Sequence, residues 1–370
     1  MKRLFYSILF LLSGFLCSAQ QSNHWNFGLY SSLDFSSGTR QLGLNSAMYA
    51  PEGTASISDN SGTLQFYTNG VDVWNRNNNV MPNGINLQGK LDVAQGVIAL
   101  PAPGNNSRYY IFTVDPTIRA LVTGLKYSIV EMSLNGGLGD VTTKNAHIYE
   151  GTTEHLTAIK HYNKADIWVM MMEQSFQKLR AYRLTSSGVS ATPVFSSVGV
   201  PVTSNTAIKG CMKFSQDGRK LAVAVGTHGF ILYDFNNSTG VASNPMLIPA
   251  PNATRPVYGL EFSPNGEFLY VSDTEKLYQY NITSGVAATI AASLYVIDTG
   301  TPHSIQLGPD DKIYVAYNND IYLRVINWPN NARSGCNFAW FILPQFASSL
   351  KGLPQYLTDY KYKPLPAFTF

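Results

Sequence analysis

A short string recurs three times in the second half of the chain. It reads FSQDGRKLAVAV from Phe214, FSPNGEFLYVSD from Phe262 and LGPDDKIYVAYN from Leu307. Each copy leads through a turn of Asp, Asn or Gly into a strand of alternating apolar residues, and such turns need residues that tolerate positive φ or bond their own backbone. The spacings of about 48 and 45 residues are typical of a four-stranded propeller blade.

Looser copies precede these three, at ISDNSGTLQFYTNG (57–70), LPAPGNNSRYYIFTVD (100–115) and IKHYNKADIWVMMME (159–173). A propeller closes its ring by completing a blade from both chain ends, because open sheet edges invite unwanted pairing. The segments 23–38 and 352–364 are unpaired and can supply those strands. We therefore predict an all-β propeller of seven four-stranded blades, with the last blade closed by both termini. Six blades is the alternative.

Charge and composition narrow the function classes. Only 13% of the residues are charged, and 26 Lys and Arg oppose 23 Asp and Glu. Two of the basic residues, Lys2 and Arg3, lie in a leader-like segment, so the remainder is close to neutral. Because nucleic-acid binding needs clustered Lys and Arg to neutralise phosphates, we expect no nucleic-acid partner.

The first nineteen residues have a basic start, an apolar middle and the small-residue end Cys17-Ser18-Ala19. This pattern predicts a signal peptide at residues 1–19, with lipidation of Cys17 as a lesser alternative. A single propeller domain is predicted for residues 23–363, and no later stretch is long and apolar enough to span a bilayer. Cys211 and Cys336 fall in different repeats, so we expect two unpaired, buried thiols.

Motifs for chemistry are scarce. The six histidines have no metal-ligand spacing, and the acidic turns lack a twelve-residue calcium loop, so we predict no metal site and no cofactor. A structural cation remains open. No nucleophile motif occurs, so no catalytic residue is predicted. A glycosidase needs two carboxylates in one cleft, and the isolated candidates, on different blades, are Glu52, Asp72, Glu154 and Glu261.

Several strings closely resemble one family. They are WNFGLYSSLDFSSG (25–38), EGTASISDNSGTLQFYTNGVDVWNRNNNVMPNG (52–84), EHLTAIKHYNKADIWVMMME (154–173) and GCMKFSQDGRKLAVA (210–224). They are similar to the N-terminal WD40-like or YVTN-like propeller of secreted Bacteroidota proteins associated with type IX secretion or gliding motility. The resemblance implies an exported, surface-displayed protein used for binding or adhesion. Members usually continue into further modules and a sorting domain. Residues 364–370 are therefore expected to be a linker or the start of a missing module, and a periplasmic location is the alternative.

The favoured hypothesis is a monomeric, non-enzymatic binding propeller for a protein or glycan. Large aromatic side chains and amides on loops would make the contacts. The candidate contacts are Trp328, Asn330, Tyr317 and Asn318. The alternatives are a polysaccharide hydrolase or lyase, with carboxylates or a histidine converging at the central channel, and a structural subunit of secretion or motility machinery.

Overall fold

The computed structural model describes residues 20–43, 46–116, 124–197, 199 and 208–359 of the 370. These residues form seven antiparallel sheets and one short α-helix, α1 (Ala287–Ala292). The prediction of an all-β propeller with seven blades is confirmed. The predicted signal peptide and the residues 364–370 lie outside the described residues.

Blades 1 to 4 follow one another along the chain. Blade 1 contains β1 (His24–Leu29), β2 (Ser31–Asp34), β3 (Gln41–Leu42) and β4 (Tyr49–Ala50). Blade 2 contains β5 (Ala55–Ser58), β6 (Leu64–Thr68) and β7 (Val73–Asn75). Blade 3 contains β8 (Val97–Ala102), β9 (Asn105–Asp115), β10 (Gly124–Glu131) and β11 (Asp140–Tyr149). Blade 4 contains β12 (Thr152–Lys160), β13 (Ile167–Glu173), β14 (Leu179–Thr185), β15 (Gly188–Val189) and β16 (Val194–Ser196).

Blades 5 to 7 each have four strands. Blade 5 contains β17 (Met212–Phe214), β18 (Lys220–Ala224), β19 (Gly229–Asn236) and β20 (Val241–Pro249). Blade 6 contains β21 (Leu260–Phe262), β22 (Phe268–Ser272), β23 (Lys276–Asn281) and β24 (Tyr295–Thr299). Blade 7 contains β25 (Pro302–Leu307), β26 (Ile313–Tyr317), β27 (Tyr322–Ile326) and β28 (Phe338–Ile342). Short 3-10 helices occupy Gln20–Ser22, Asn135–Gly137 and Arg333–Cys336.

A buried apolar layer fills each gap between neighbouring blades. The layer between blades 4 and 5 joins Trp168 to Phe214, for example, and the layer between blades 7 and 1 joins Tyr314 to Trp25. The last of these gaps closes the ring. Because side chains alternate along a strand, each inner strand sends apolar residues into such a layer and leaves intervening residues for the ring axis and its loops.

The recurring string forms the turn between the first two strands of a blade. In blade 5 the Ser215 hydroxyl donates to Asp217 at 2.6 Å and accepts from the Lys220 amide. In blade 6 the Ser263 hydroxyl bonds Asn265 at 2.7 Å in the same way. The small residue and the Asp or Asn of the repeat therefore hold the turn together, as the pattern predicts.

The last described residues, 351–359, cross the middle of the ring, and we call them the axial segment. Its hydrogen bonds reach five blades, through His24, Thr54, Val97, Ala158 and Ser304. A segment bonded to five blades at once lies on the ring axis. There it satisfies backbone groups of inner strands that have no neighbouring strand on their axial side.

The chain ends meet at a different blade from the one predicted. Blade 7 is built from the continuous stretch 302–342. The C-terminal stretch instead joins blade 1, where Ser348 pairs with Leu29 and the Tyr356 ring stacks on Trp25 at 5.8 Å. The termini do close the ring, but they do so at the first sheet.

Replacing Gly352 with alanine is expected to destabilise the protein by about 1–3 kcal/mol, because overpacking has this typical cost. A Cβ at this position would lie 1.5 Å from the backbone oxygen of Glu52, so the axial segment must shift. Chemical denaturation measures the change. Gly335→Ala is the control, since its Cβ would meet nothing closer than an Asn331 side-chain atom at 3.5 Å. Equal stability of the two variants would contradict the tight docking of the segment.

Candidate functional site

The inner strands β5, β8, β12, β17, β21 and β25 all end on one face of the ring, which we call the turn face because the recurring turns lie there. A cavity of about 760 Å³ opens at the axis on this face. Typical small-molecule sites have about 300–1,000 Å³. Its walls come from the ends of inner strands, the N-terminal residues 21–23 and the axial segment from Gln355 to Asp359. We call it the axial cavity.

A buried polar triad, Lys213, Glu261 and Gln306, lines this cavity. The Lys213 ammonium lies 3.2 Å from the Glu261 carboxylate and donates to the Gln306 amide oxygen. Glu261 also accepts hydrogen bonds from the backbone amides of Phe262 and Leu307, each at 3.0 Å. The carboxylate is thus held by three donors. Of the three N–H groups of the ammonium, two face these partners, and the third has no partner among the described residues.

Each member of the triad occupies the same place in the repeat. Lys213, Glu261 and Gln306 directly precede the copies of the recurring string that begin at residues 214, 262 and 307. Their strand neighbours Met212, Phe214, Leu260, Phe262 and Ile305 are buried in the layers between blades. A polar residue at one fixed position of three consecutive apolar strands is the sequence signal that indicates this site, and our sequence analysis missed it.

Two further polar side chains lining the cavity are buried and have no hydrogen-bond partner in the described part of the chain. Thr157 is 3% exposed and Asn23 is 7% exposed. Gln216, at the rim, also makes no side-chain hydrogen bond to a described residue. None of these polar atoms is among the buried atoms that lack a partner, so all three groups are open to the cavity and can bond a molecule that enters it.

A second polar cluster lies at the opposite end of the axis, where the inner strands begin. Glu52 accepts hydrogen bonds from the Tyr258 hydroxyl at 3.0 Å and from Lys351 of the axial segment at 2.9 Å. Glu154 accepts from the backbone amide of Ala94 at 3.0 Å. It belongs to an irregular part of β12, where the pairing with β13 shifts between Thr152 and Leu156.

Burial raises the pKa of the Glu154 carboxyl to about 7, and the nearby negative charge of Glu52 adds to the rise, while the Ala94 amide opposes it. The neighbouring His155 is fully buried between Thr153 and the Ala224 carbonyl, and burial lowers its pKa to about 4. Relative to the unfolded chain, folding therefore raises the pKa of Glu154 and lowers the pKa of His155.

Of the four carboxylates proposed from sequence, the structure brings two together. Glu52 and Glu154 converge at the axis, Glu261 is paired with Lys213, and Asp72 lies in the turn between β6 and β7. Neither Glu52 nor Glu154 lines the axial cavity. Among the described residues, no three His, Cys, Asp or Glu side chains are grouped so that they could hold a metal ion.

The four predicted contact residues lie at two ends of blade 7. Trp328 is 58% exposed in the connection between β27 and β28, and the Asn330 side chain there accepts from the Asn265 amide at 3.0 Å. Tyr317 is 3% exposed and donates to Asp298, while Asn318 is exposed in the turn after β26. Because adjacent strands are antiparallel, the first two lie on the turn face and the last two on the other face. The structure does not bring them into one site.

The predicted free thiols are confirmed: Cys211 and Cys336 are both buried and unpaired. Burial raises the pKa of Cys211 to about 12 and that of Cys336 to about 11. Thiols with raised pKa values are poor nucleophiles near neutral pH, so both belong to the core. No helix in the described ranges meets the length and apolarity needed to cross a membrane.

Comparison with solved structures finds several similar chains, and one of those named below has a TM-score above 0.5. A "putative 6-phosphogluconolactonase" from Bacteroides fragilis aligns with a TM-score of 0.53 and 10% identity, covering 91% of this chain and 98% of that one. A second protein of that name, from Bacteroides uniformis, has a TM-score of 0.44 and 15% identity over 78% and 82% of the two chains. A luciferin-regenerating enzyme has a TM-score of 0.42 and 13% identity over 83% and 95%. No protein-family model and no curated protein sequence matches the chain.

The prediction that this protein is not an enzyme is wrong, because its fold is one that a protein named as an enzyme also has. It depended on the absence of local catalytic motifs, yet the Bacteroides fragilis propeller, which shares the ring over 91% of this chain, is named for an enzymatic activity. A propeller collects its axial side chains from strand ends of several blades, so a motif search along the chain does not detect them. At 10% identity the likeness establishes the fold alone, so any chemistry must be argued from the residues of the site.

Proposed function

We propose that the axial cavity is where this protein binds a small polar molecule as its ligand or substrate. The observation that carries the proposal is an open cavity of about 760 Å³ whose walls present the side chains of Asn23 and Thr157, which bond no other described residue. Their polar atoms are accessible from the cavity, so they can form hydrogen bonds with a ligand that displaces water there.

The Lys213 ammonium supports the same proposal. Its two protein partners hold it in place at the cavity wall, and it keeps a donor available. Donors held in place in a water-excluding site bind polar ligands more tightly than mobile surface donors, because little side-chain entropy is lost on binding. Export, and a link to type IX secretion or gliding motility, are further proposals that rest on the leader-like N-terminus and the family resemblance.

Thr157→Val is expected to weaken ligand binding about fivefold, since losing one neutral hydrogen bond costs about 1 kcal/mol. The substitution keeps the shape of the side chain and removes only the hydroxyl. A panel of monosaccharides, disaccharides, amino acids and nucleosides is first screened for compounds that raise the melting temperature of the protein. The affinity of each hit is then measured by isothermal titration calorimetry. Turnover of each hit is followed by NMR in the same samples.

Thr142→Val, on the exposed strand β11, is the matched control and should bind like the unmodified protein. Hits whose affinity is the same in both variants bind outside the axial cavity. A panel that contains only such hits, or none, contradicts the proposed site.

A further inference from the structure

We infer that the ligand of the axial cavity is an uncharged polyhydroxylated molecule of the saccharide class rather than a phosphate ester or another anion. This inference rests on the proposed function and specifies its chemistry. Three features of the cavity lining carry it. They are its charge balance, the lack of arginine among the described residues, and the hydrogen-bonding character of its uncharged groups.

The charge balance of the lining disfavours an anion. Lys164 and Lys213 line the cavity together with three carboxylates, Glu261, Asp311 and Asp359. Glu261 is paired with Lys213 at 3.2 Å, and Asp359 is paired with Lys160 at 3.6 Å. The lining therefore presents no surplus of positive charge, and a phosphate dianion would have to compete for Lys213 with a carboxylate that three donors hold in place.

The lining also lacks the groups that proteins use for anions. No arginine lines the cavity among the described residues. Arginine supplies the paired, planar donors that recognise phosphate and carboxylate groups. The name of the Bacteroides fragilis neighbour refers to a phosphorylated sugar derivative, and this cavity is built for a ligand without that charge.

The uncharged groups on the walls match hydroxyl groups. The amides of Asn23 and Gln216 and the hydroxyl of Thr157 can each donate and accept a hydrogen bond. A sugar hydroxyl also does both, so neighbouring hydroxyls on a ring complement an amide that presents one oxygen and one NH₂ group. The half-buried side chain of Tyr356, which also lines the cavity, offers apolar atoms for the C–H face of such a ring.

The test compares each neutral sugar with its own phosphate ester. The probes are glucose with glucose 6-phosphate, mannose with mannose 6-phosphate, and glucono-1,5-lactone with 6-phosphogluconolactone, with maltose and cellobiose as longer neutral probes. Titration calorimetry and the Thr157→Val variant are used for every probe. We expect at least one neutral probe to bind in a manner sensitive to Thr157→Val, and its phosphate ester to bind at least about tenfold more weakly.

A charge variant makes the comparison sharper. Glu261→Gln removes one negative charge beside Lys213, so it should raise the affinity for each phosphate ester relative to the affinity for its neutral sugar. Should this variant fail to fold, the rim double variant Asp311→Asn with Asp359→Asn tests the same charge effect away from the buried pair.

The outcomes separate the inference from the proposed function. Tighter binding of a phosphate ester, with sensitivity to Thr157→Val, would overturn the neutral-ligand inference and leave the cavity as the binding site. The inference is also overturned when only amino acids or nucleosides bind there. Sugar binding with the same affinity in the unmodified protein and in Thr157→Val would remove the support for both the neutral-ligand inference and the axial cavity as the binding site.

Discussion

Lys213→Met is expected to lower the free energy of unfolding by about 3–5 kcal/mol, the usual cost of leaving one partner of a buried ion pair unpaired. The side chains of Lys213 and Glu261 are only 11% and 3% exposed, so without the ammonium the carboxylate is left unpaired and largely shielded from water. Urea denaturation at neutral pH measures the effect.

The same substitution at Lys220 is the matched control. Lys220 pairs with Asp234, but both side chains are nearly half exposed, at 46% and 44%. Exposed ion pairs contribute about 0–1 kcal/mol. A further variant, Lys213→Met with Glu261→Gln, should recover part of the loss because no charge remains buried alone. Equal effects at positions 213 and 220 would show that the buried pair contributes no more than a surface pair.

Glu154→Gln is expected to remove a contribution to stability that declines by about 3 kcal/mol as the pH rises from about 4.5 to 8. The folded carboxyl has a pKa of about 7, above its ordinary value of 4.5, so the folded state binds more protons than the unfolded state between these values. The contribution of Glu154 to stability is therefore complete below pH 4.5 and is lost as the pH rises through 7. A neutral glutamine has no such dependence.

His155 acts in the opposite direction. Its folded pKa of about 4 lies below the ordinary 6.5, so its contribution to stability is complete above pH 6.5 and is lost as the pH falls towards 4. In the unmodified protein the two adjacent residues offset each other between about pH 4.5 and 6.5. In Glu154→Gln the histidine effect is expected to appear alone, as a loss of stability on acidification.

Thermal and urea unfolding at intervals from pH 4 to pH 8 test both statements. The control is Glu267→Gln, a change of the same type at an exposed turn of blade 6. The control should give a stability curve parallel to that of the unmodified protein. Parallel curves for Glu154→Gln as well would show that Glu154 does not titrate in this window.

Six of the seven blades could be predicted because one turn chemistry repeats along the chain, and the seventh was inferred because the ring must close. Ser215 and Ser263 hold their turns through bonds to residues two positions away, and such local geometry is present in the sequence itself. The position of each repeated turn along the chain therefore marks the first two strands of a blade. Trp168, in the apolar strand β13, is 4% exposed and so belongs to the core.

The site could not be predicted in the same way, because its geometry depends on contacts between distant residues. Glu52 and Glu154 are separated by two blades in the sequence and meet only at the axis. Asn23 and Thr157 reach one cavity because the axial segment brings the first blade and the fourth together. Of the site residues, Lys213, Glu261 and Gln306 alone carried a periodic signal, a polar residue in a strand that otherwise alternates towards the core.

The position of the axial segment has a consequence for the order of folding. The residues that fill the middle of the ring are the last of the described chain to be synthesised, and they contact Thr54 and Val97, about 300 and 260 positions earlier. Contacts so far apart form late, because a long loop must close first. All seven blades precede residue 351, so each can pair its own strands before the axial segment occupies the middle of the ring.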